Sequence, residues 1–124
     1  MRILLGRIYK SKSMVIKDVR SVKVFLDDTR DAPSGSFCCV RTYEDCILLL
    51  SVFSNDVEFL DLDYYLGRNV KYSGLDVLVF MKEHDIHPNH INIHSSHETG
   101  APKMLEYAKK YFPNSLITEN KIRG

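Results

Sequence analysis

Short, nearly all-apolar runs punctuate the chain at residues 22–26, 37–40, 57–60 and 91–93, with a last one at Leu116-Ile117. Such runs, bounded by turn-forming residues, are the pattern of strands buried on both faces of a parallel sheet. Between them the apolar period lengthens to that of a helix. Thr42-Tyr43-Glu44-Asp45 is a capping signal, after which Cys46, Ile47 and Leu50 repeat at helical spacing to about residue 53. Ser73 caps a second helix, whose apolar face is Leu75, Leu78 and Val79 and which ends near His84. A third spans about 101–111, with Met104, Leu105, Ala108 and Tyr111 or Phe112 inward, and Pro113 ends it. The order β, β, α, β, α, β, α, with one further β, predicts an α/β domain built on a parallel sheet. The link between the first two strands, residues 28–36 with their flanks, is too short for a full helical crossover.

Residues 1–21 fit the scheme less well. Segments 3–9 and 14–19 pair as a hairpin around Lys10-Ser11-Lys12-Ser13 or add a strand, and 22–124 form the α/β domain. Charge separates the same two parts. The net charge of +1 hides a balance of +6 over residues 1–23, seven Lys or Arg against Asp18, and of −5 over the rest. The basic arm suits an anionic partner or a solvated edge. Length, hydrophobic content of 44% and charged content of 27% fit one soluble domain. No stretch is long and apolar enough for a signal peptide or a membrane span. Cys38, Cys39 and Cys46 lack metal-site spacing, and reduced thiols in a cytoplasm are expected.

Polar clusters follow three of the strands: Leu26-Asp27-Asp28-Thr29-Arg30, Leu60-Asp61-Leu62-Asp63 and His94-Ser95-Ser96-His97. The carboxyl ends of parallel strands open onto one edge, so these clusters should meet in one pocket. Asp27, Asp28 and Asp61 then offer hard oxygen ligands for a divalent cation, Mg²⁺ first, with Asp63 either joining through the loop or capping the turn. Arg30 can present a planar fork to phosphate, or pair with Asp27 or Asp61. His94 and His97, flanking the hydroxyls of Ser95 and Ser96, can bind phosphate and move protons; His94 fits a core imidazole as well. Backbone N–H groups between Ser96 and Gly100 can face an anion where the last helix begins. Tyr64, Tyr65 and Tyr72 can stack on a base or cover the sheet edge. Arg41 reads as a surface charge. His84, His87 and His90 lie at the other end of the fourth strand, too far from His94 to share its site.

Five of these fragments, in order, resemble the cyclic-phosphate processing receiver-like domain, an offshoot of response-regulator receivers: Leu26-Asp27-Asp28-Thr29-Arg30; Val40-Arg41-Thr42; Leu60-Asp61-Leu62-Asp63 with Leu66-Gly67; Gly74-Leu75-Asp76-Val77-Leu78; and His94-Ser95 with Gly100. The likeness covers about residues 22–112 and implies a three-layer, flavodoxin-like α/β fold with a parallel sheet of strand order 2-1-3-4, a fifth strand beyond it, and the first crossover helix of receivers lost. The chain departs from it where Leu62 replaces a His, and Tyr64-Tyr65 precede Leu66-Gly67. It departs from ordinary receivers in having no Lys after the last strand, Lys121 lying in a poorly patterned tail and Arg30 being the substitute cation. The resemblance implies recognition or hydrolysis of a cyclic phosphate, at an RNA end or in a cyclic nucleotide. In that reading Asp27, Asp28, Asp61 and Asp63 hold Mg²⁺, Arg30, Ser95 and Ser96 hold phosphate, and His94, His97 and Ser95 do the chemistry of a metal-dependent phosphoesterase. Two alternatives stay open: a nucleotide-binding module without turnover, and a degenerate receiver phosphorylated on Asp61.

Overall fold

The computed structural model describes residues 20–120. The expected arm or hairpin at 1–21 falls, but for its last two residues, outside the described residues, as does Lys121. Five strands and three helices follow one another as β1 (Val22–Leu26), β2 (Cys38–Val40), α1 (Tyr43–Val52), β3 (Val57–Leu62), α2 (Gly74–Glu83), β4 (His90–His94), α3 (Gly100–Tyr111) and β5 (Leu116–Asn120). All strand pairs are parallel and the sheet order is β2-β1-β3-β4-β5, the order the resemblance implies. Residues 27–37, between β1 and β2, contain no helix.

From β2 onward every crossover runs in the same direction over the sheet, which for right-handed connections puts the helices on one face. That face carries Val24, Leu26, Leu60, Leu62, Ile91 and Ile93, packed into one core with Cys46 and Leu50 of α1, Val77, Leu78 and Met81 of α2, and Met104 and Ala108 of α3. Instead of the three layers expected, the described residues form two, because the connection that would put a helix on the other face is a loop. None of these helices is long and apolar enough to cross a membrane.

Helix starts follow from local chemistry. The Thr42 hydroxyl accepts the Asp45 N–H at 3.1 Å, and Ser73 and Asp76 form a reciprocal capping box on α2. Gly74 is required sterically: a Cβ there would lie 1.9 Å from the Asp63 carbonyl oxygen, so only glycine lets α2 begin against the end of β3.

β3 and β4 run longer than their apolar runs, and the difference shapes the site. β3 continues two residues past Leu60, and β4 takes in His90 and His94. Polar side chains at Asp61, Asn92 and His94 satisfy one another across neighbouring strands, so the backbone pairing runs on through them.

Candidate functional site

Parallel register sets the depth of each polar group. Phe25, Asp61 and Asn92 are level across β1, β3 and β4, and one step nearer the carboxyl edge Leu26, Leu62 and Ile93 are level. Side chains alternate along a strand, so Asp27, Asp63 and His94 form the next row on the same face as Phe25 and Asp61. Asp61 is therefore not at the rim, where the sequence suggested it. It is 4% exposed, and its Oδ1 accepts from Asn92 Nδ2 at 2.9 Å and from His94 Nδ1 at 2.6 Å.

His94 is also interior, 1% exposed, with its ring stacked flat on Phe25 at 4.5 Å. Its second nitrogen, Nε2, donates to Asp27 Oδ2 at 2.9 Å. Two ring nitrogens each facing a carboxylate oxygen favour an imidazolium that donates from both. Burial alone would lower the His94 pKa, but hydrogen bonding and charge from Asp61, with Asp27 and Asp63 adding, raise it above the ordinary value. The cation that three crowded carboxylates need is thus in part supplied by the protein itself.

Asp27, fully buried, is saturated. Its Oδ1 accepts the backbone N–H groups of Thr29 at 2.9 Å and Arg30 at 2.8 Å, and its Oδ2 accepts from His94 and, at 3.4 Å, from Arg30 Nη1. Burial raises its pKa, but the Arg30 and Thr29 N–H groups and His94 more than offset that and leave it below the usual carboxylate value. Asp27 folds the loop rather than facing a ligand. Arg41, read from sequence as a surface charge, does the same from the other side: Nη1 donates to the carbonyls of Asp27, at 3.1 Å, and of Arg30, while Nη2 pairs with Asp31 at 3.0 Å. The signal for it in the sequence was its place in Val40-Arg41-Thr42, immediately after β2.

What remains at the edge is an open recess of about 360 Å³ lined by Asp28, Thr29, Arg30, Asp63, Tyr65, Ser95, Ser96 and His97. All four of the expected Arg30, Ser95, Ser96 and His97 reach it, with Asp28 and Asp63; Asp27, Asp61 and His94 stand behind it. Arg30 Nη1 lies 3.7 Å from Asp63 Oδ2, so one guanidinium spans both Asp27 and Asp63. Burial, and after it the nearby charge of Asp27, raises the Asp63 pKa, against the opposing pull of His94, the Tyr64 N–H and Ser95. Asp63 is consequently the carboxylate in the recess whose environment most favours taking up a proton.

His97 differs from His94. Its Nδ1 accepts the Gly100 N–H at 2.9 Å, capping α3, which leaves the proton on Nε2 and makes the ring a donor to the recess. The Ala101 N–H bonds the His97 carbonyl at 3.2 Å, so the first amides of α3 are used internally rather than offered to an anion. Tyr64 packs on the His97 ring at 4.5 Å, and a Cβ at Gly100 would lie 2.4 Å from the Tyr64 ring, so that glycine keeps the contact.

The other histidines are spread over separate structural roles. His84 bonds the Phe80 carbonyl, His87 pairs with Asp85, and His90 stacks on Phe59 and bonds Thr118. Cys38 and Cys39 are exposed, and burial pushes the Cys46 thiol up to about 12. Among the described residues, Asp27, Asp63 and His94 form one group with atoms within 4.8 Å of one another, the geometry of a metal-capable cluster. Both His94 nitrogens and both Asp27 oxygens are already bonded, however, and Arg30 adds a cation beside them. A metal has no free donor there except on Asp63.

A family model for the cyclic-phosphate processing receiver domain matches residues 22–110. No curated protein and no solved structure matches the chain.

Proposed function

Since the chain belongs to the cyclic-phosphate processing receiver family, we propose that the recess binds a nucleotide cyclic phosphate and opens its ring by hydrolysis. The observation that carries this reading is the lining itself. A guanidinium, an imidazole N–H donor and two serines converge on a space that also holds a carboxylate of raised pKa. Arg30 and His97 Nε2–H suit the non-bridging oxygens of a phosphodiester, Arg30 by charge-assisted bonds and His97 as a neutral donor. Asp63 can take a proton from water as its oxygen attacks phosphorus. The P–O bond to one ring oxygen then breaks, that oxygen takes up the proton Asp63 removed from water, and a phosphomonoester results. His94, which the sequence put forward for proton transfer, supports this from behind by holding Asp27 and Asp61 in place.

A divalent cation fits the outer pair better than the inner cluster. Asp28 and Asp63 both line the recess, and Mg²⁺ favours one or two carboxylates with waters and phosphate oxygens. When bound, it would neutralise phosphate charge. Asp28 would hold it directly, and Asp63 would hold it through a bound water, the one whose proton it takes.

The test is to incubate the protein with 2′,3′-cyclic mononucleotides, an oligoribonucleotide ending in a cyclic phosphate, and cyclic dinucleotides, with and without Mg²⁺, following phosphorus by NMR. Conversion of one class to a monoester, lowered about 10²–10⁴-fold in Asp63→Asn, is the expected result. Tight binding without conversion would leave a binding module, and no binding of any ligand would overturn the reading. Escape of the same activity from any dependence on Arg30 would also count against it: Arg30→Ala should weaken binding about 10- to 150-fold.

A further inference from the structure

Beside the phosphate recess lies a second one, about 220 Å³, in the loop between β3 and α2, and Tyr65 lines both. The two also meet at Asp28, which lines the first and whose Oδ2 is 3.6 Å from where a Cβ on Gly67, a residue of the second, would stand. Resting on the phosphate reading of the first recess, we propose that the second is a nucleobase subsite in which the base stacks on Tyr65.

Tyr65 is 51% exposed and has no ring partner among the described residues, unlike Tyr64 on His97 and Tyr72 on Tyr43. An aromatic face left open at the seam between a phosphate site and a second cavity offers the flat apolar surface that a base requires. The loop that carries it is built to hold shape. Leu66, 5% exposed, anchors it in the core, Gly67 takes a φ of 128° that other residues rarely adopt, and the Tyr43–Tyr72 stack at 4.1 Å supports the far wall. A polar edge is present as well. Oδ2 of Asp76 accepts from the N–H and hydroxyl of Ser73, leaving Oδ1 to accept an N–H from the edge of a base. Together the recesses have the dimensions of a small-ligand site. The ligand class is thus a nucleoside cyclic phosphate, free or at the end of an RNA chain.

Calorimetric titration of the full chain tests this with three probes: a 2′,3′-cyclic mononucleotide, 1-O-methylribose 2′,3′-cyclic phosphate, which lacks the base, and a short oligoribonucleotide ending in a cyclic phosphate. Wild type should bind the base-free compound about 5- to 150-fold more weakly than the mononucleotide. Tyr65→Ala should lose that factor on the mononucleotide, so that it and the base-free compound bind the variant alike, and Tyr65→Phe should retain the difference. A Tyr65→Ala loss on the oligonucleotide too assigns the subsite to RNA ends, whereas a loss on the mononucleotide alone assigns it to free nucleotides. Equal affinity for the first two probes, or no effect of Tyr65→Ala, overturns the base subsite while the phosphate site stands. Failure of all three probes to bind overturns the phosphate reading and the subsite with it.

Discussion

Replacing His94 by Asn would strand Asp27 and Asp61 as buried carboxylates without their shared cation. A loss of about 3–5 kcal/mol is expected, read from the urea midpoint, because removing one member of a buried ion pair exposes the desolvation cost of the other. The same residue sets the pH dependence. A histidine whose folded pKa is raised contributes stability that is fully present below about pH 6.5 and is lost as pH rises through its folded value. Asp27, depressed in the fold, contributes stability present above about pH 3.9 and lost as pH falls through its folded value. Asp63, raised by burial, adds a decline of its own as pH climbs from about 3.9. Stability should therefore peak between about pH 3.9 and 6.5, toward the acid side of that window, and fall on the alkaline side. Denaturation curves from pH 3 to 9 check this, and a wild-type profile that rises through neutrality would contradict the imidazolium at His94.

At the scale of elements, the site depends on how closely α2 and α3 start against the ends of β3 and β4. Gly74→Ala would drive a methyl group into the Asp63 carbonyl, and the helix would have to retreat from the residue that lines the recess. The expected cost is about 3 kcal/mol or more, seen in thermal or urea melts, with nucleotide binding impaired as well. Gly100→Ala should be milder in stability but specific in effect, since it displaces a side chain, Tyr64, rather than backbone. Ser73→Ala, which removes the cap of α2 without pushing on the helix backbone, should cost about 0.5–2 kcal/mol. If Gly74→Ala and Ser73→Ala melt alike, close backbone packing is not what positions Asp63.

For the molecule as a whole, the arrangement argues against a phosphorylation switch. A receiver signals through an accessible acyl-phosphate, whereas Asp61 is buried and held by Asn92 and His94. Acetyl phosphate with Mg²⁺ should therefore leave Asp61 unmodified, and a stoichiometric, hydroxylamine-labile phosphate there by mass spectrometry would restore the signalling reading. Any stabilisation of the chain by Mg²⁺ should be lost in Asp28→Asn or Asp63→Asn.

Sheet order, the three helices, the missing first crossover and the edge on which the chemistry gathers were all legible in the sequence. The helices and the missing crossover depend on local pattern, namely apolar runs, caps at Thr42 and Ser73, and a link between β1 and β2 too short for a helix, whereas the sheet order came with the family resemblance. Five fragments, from Leu26-Asp27-Asp28-Thr29-Arg30 to His94-Ser95, were enough for the family. Depth was not legible. A polar residue after an apolar run marks the end of a strand in sequence, but Asp61 and His94 are carried into the sheet by partners on other strands, and one of those, Asn92, carried no signal. For the same reason the tertiary structure alone decided that Asp63 rather than Asp61 faces the recess, that His97 is a donor and His94 a buried cation, and that Arg41 braces the loop. Alternation along a strand is a property of the chain, whereas which row ends in solvent depends on register between strands, and that is settled only when the sheet assembles.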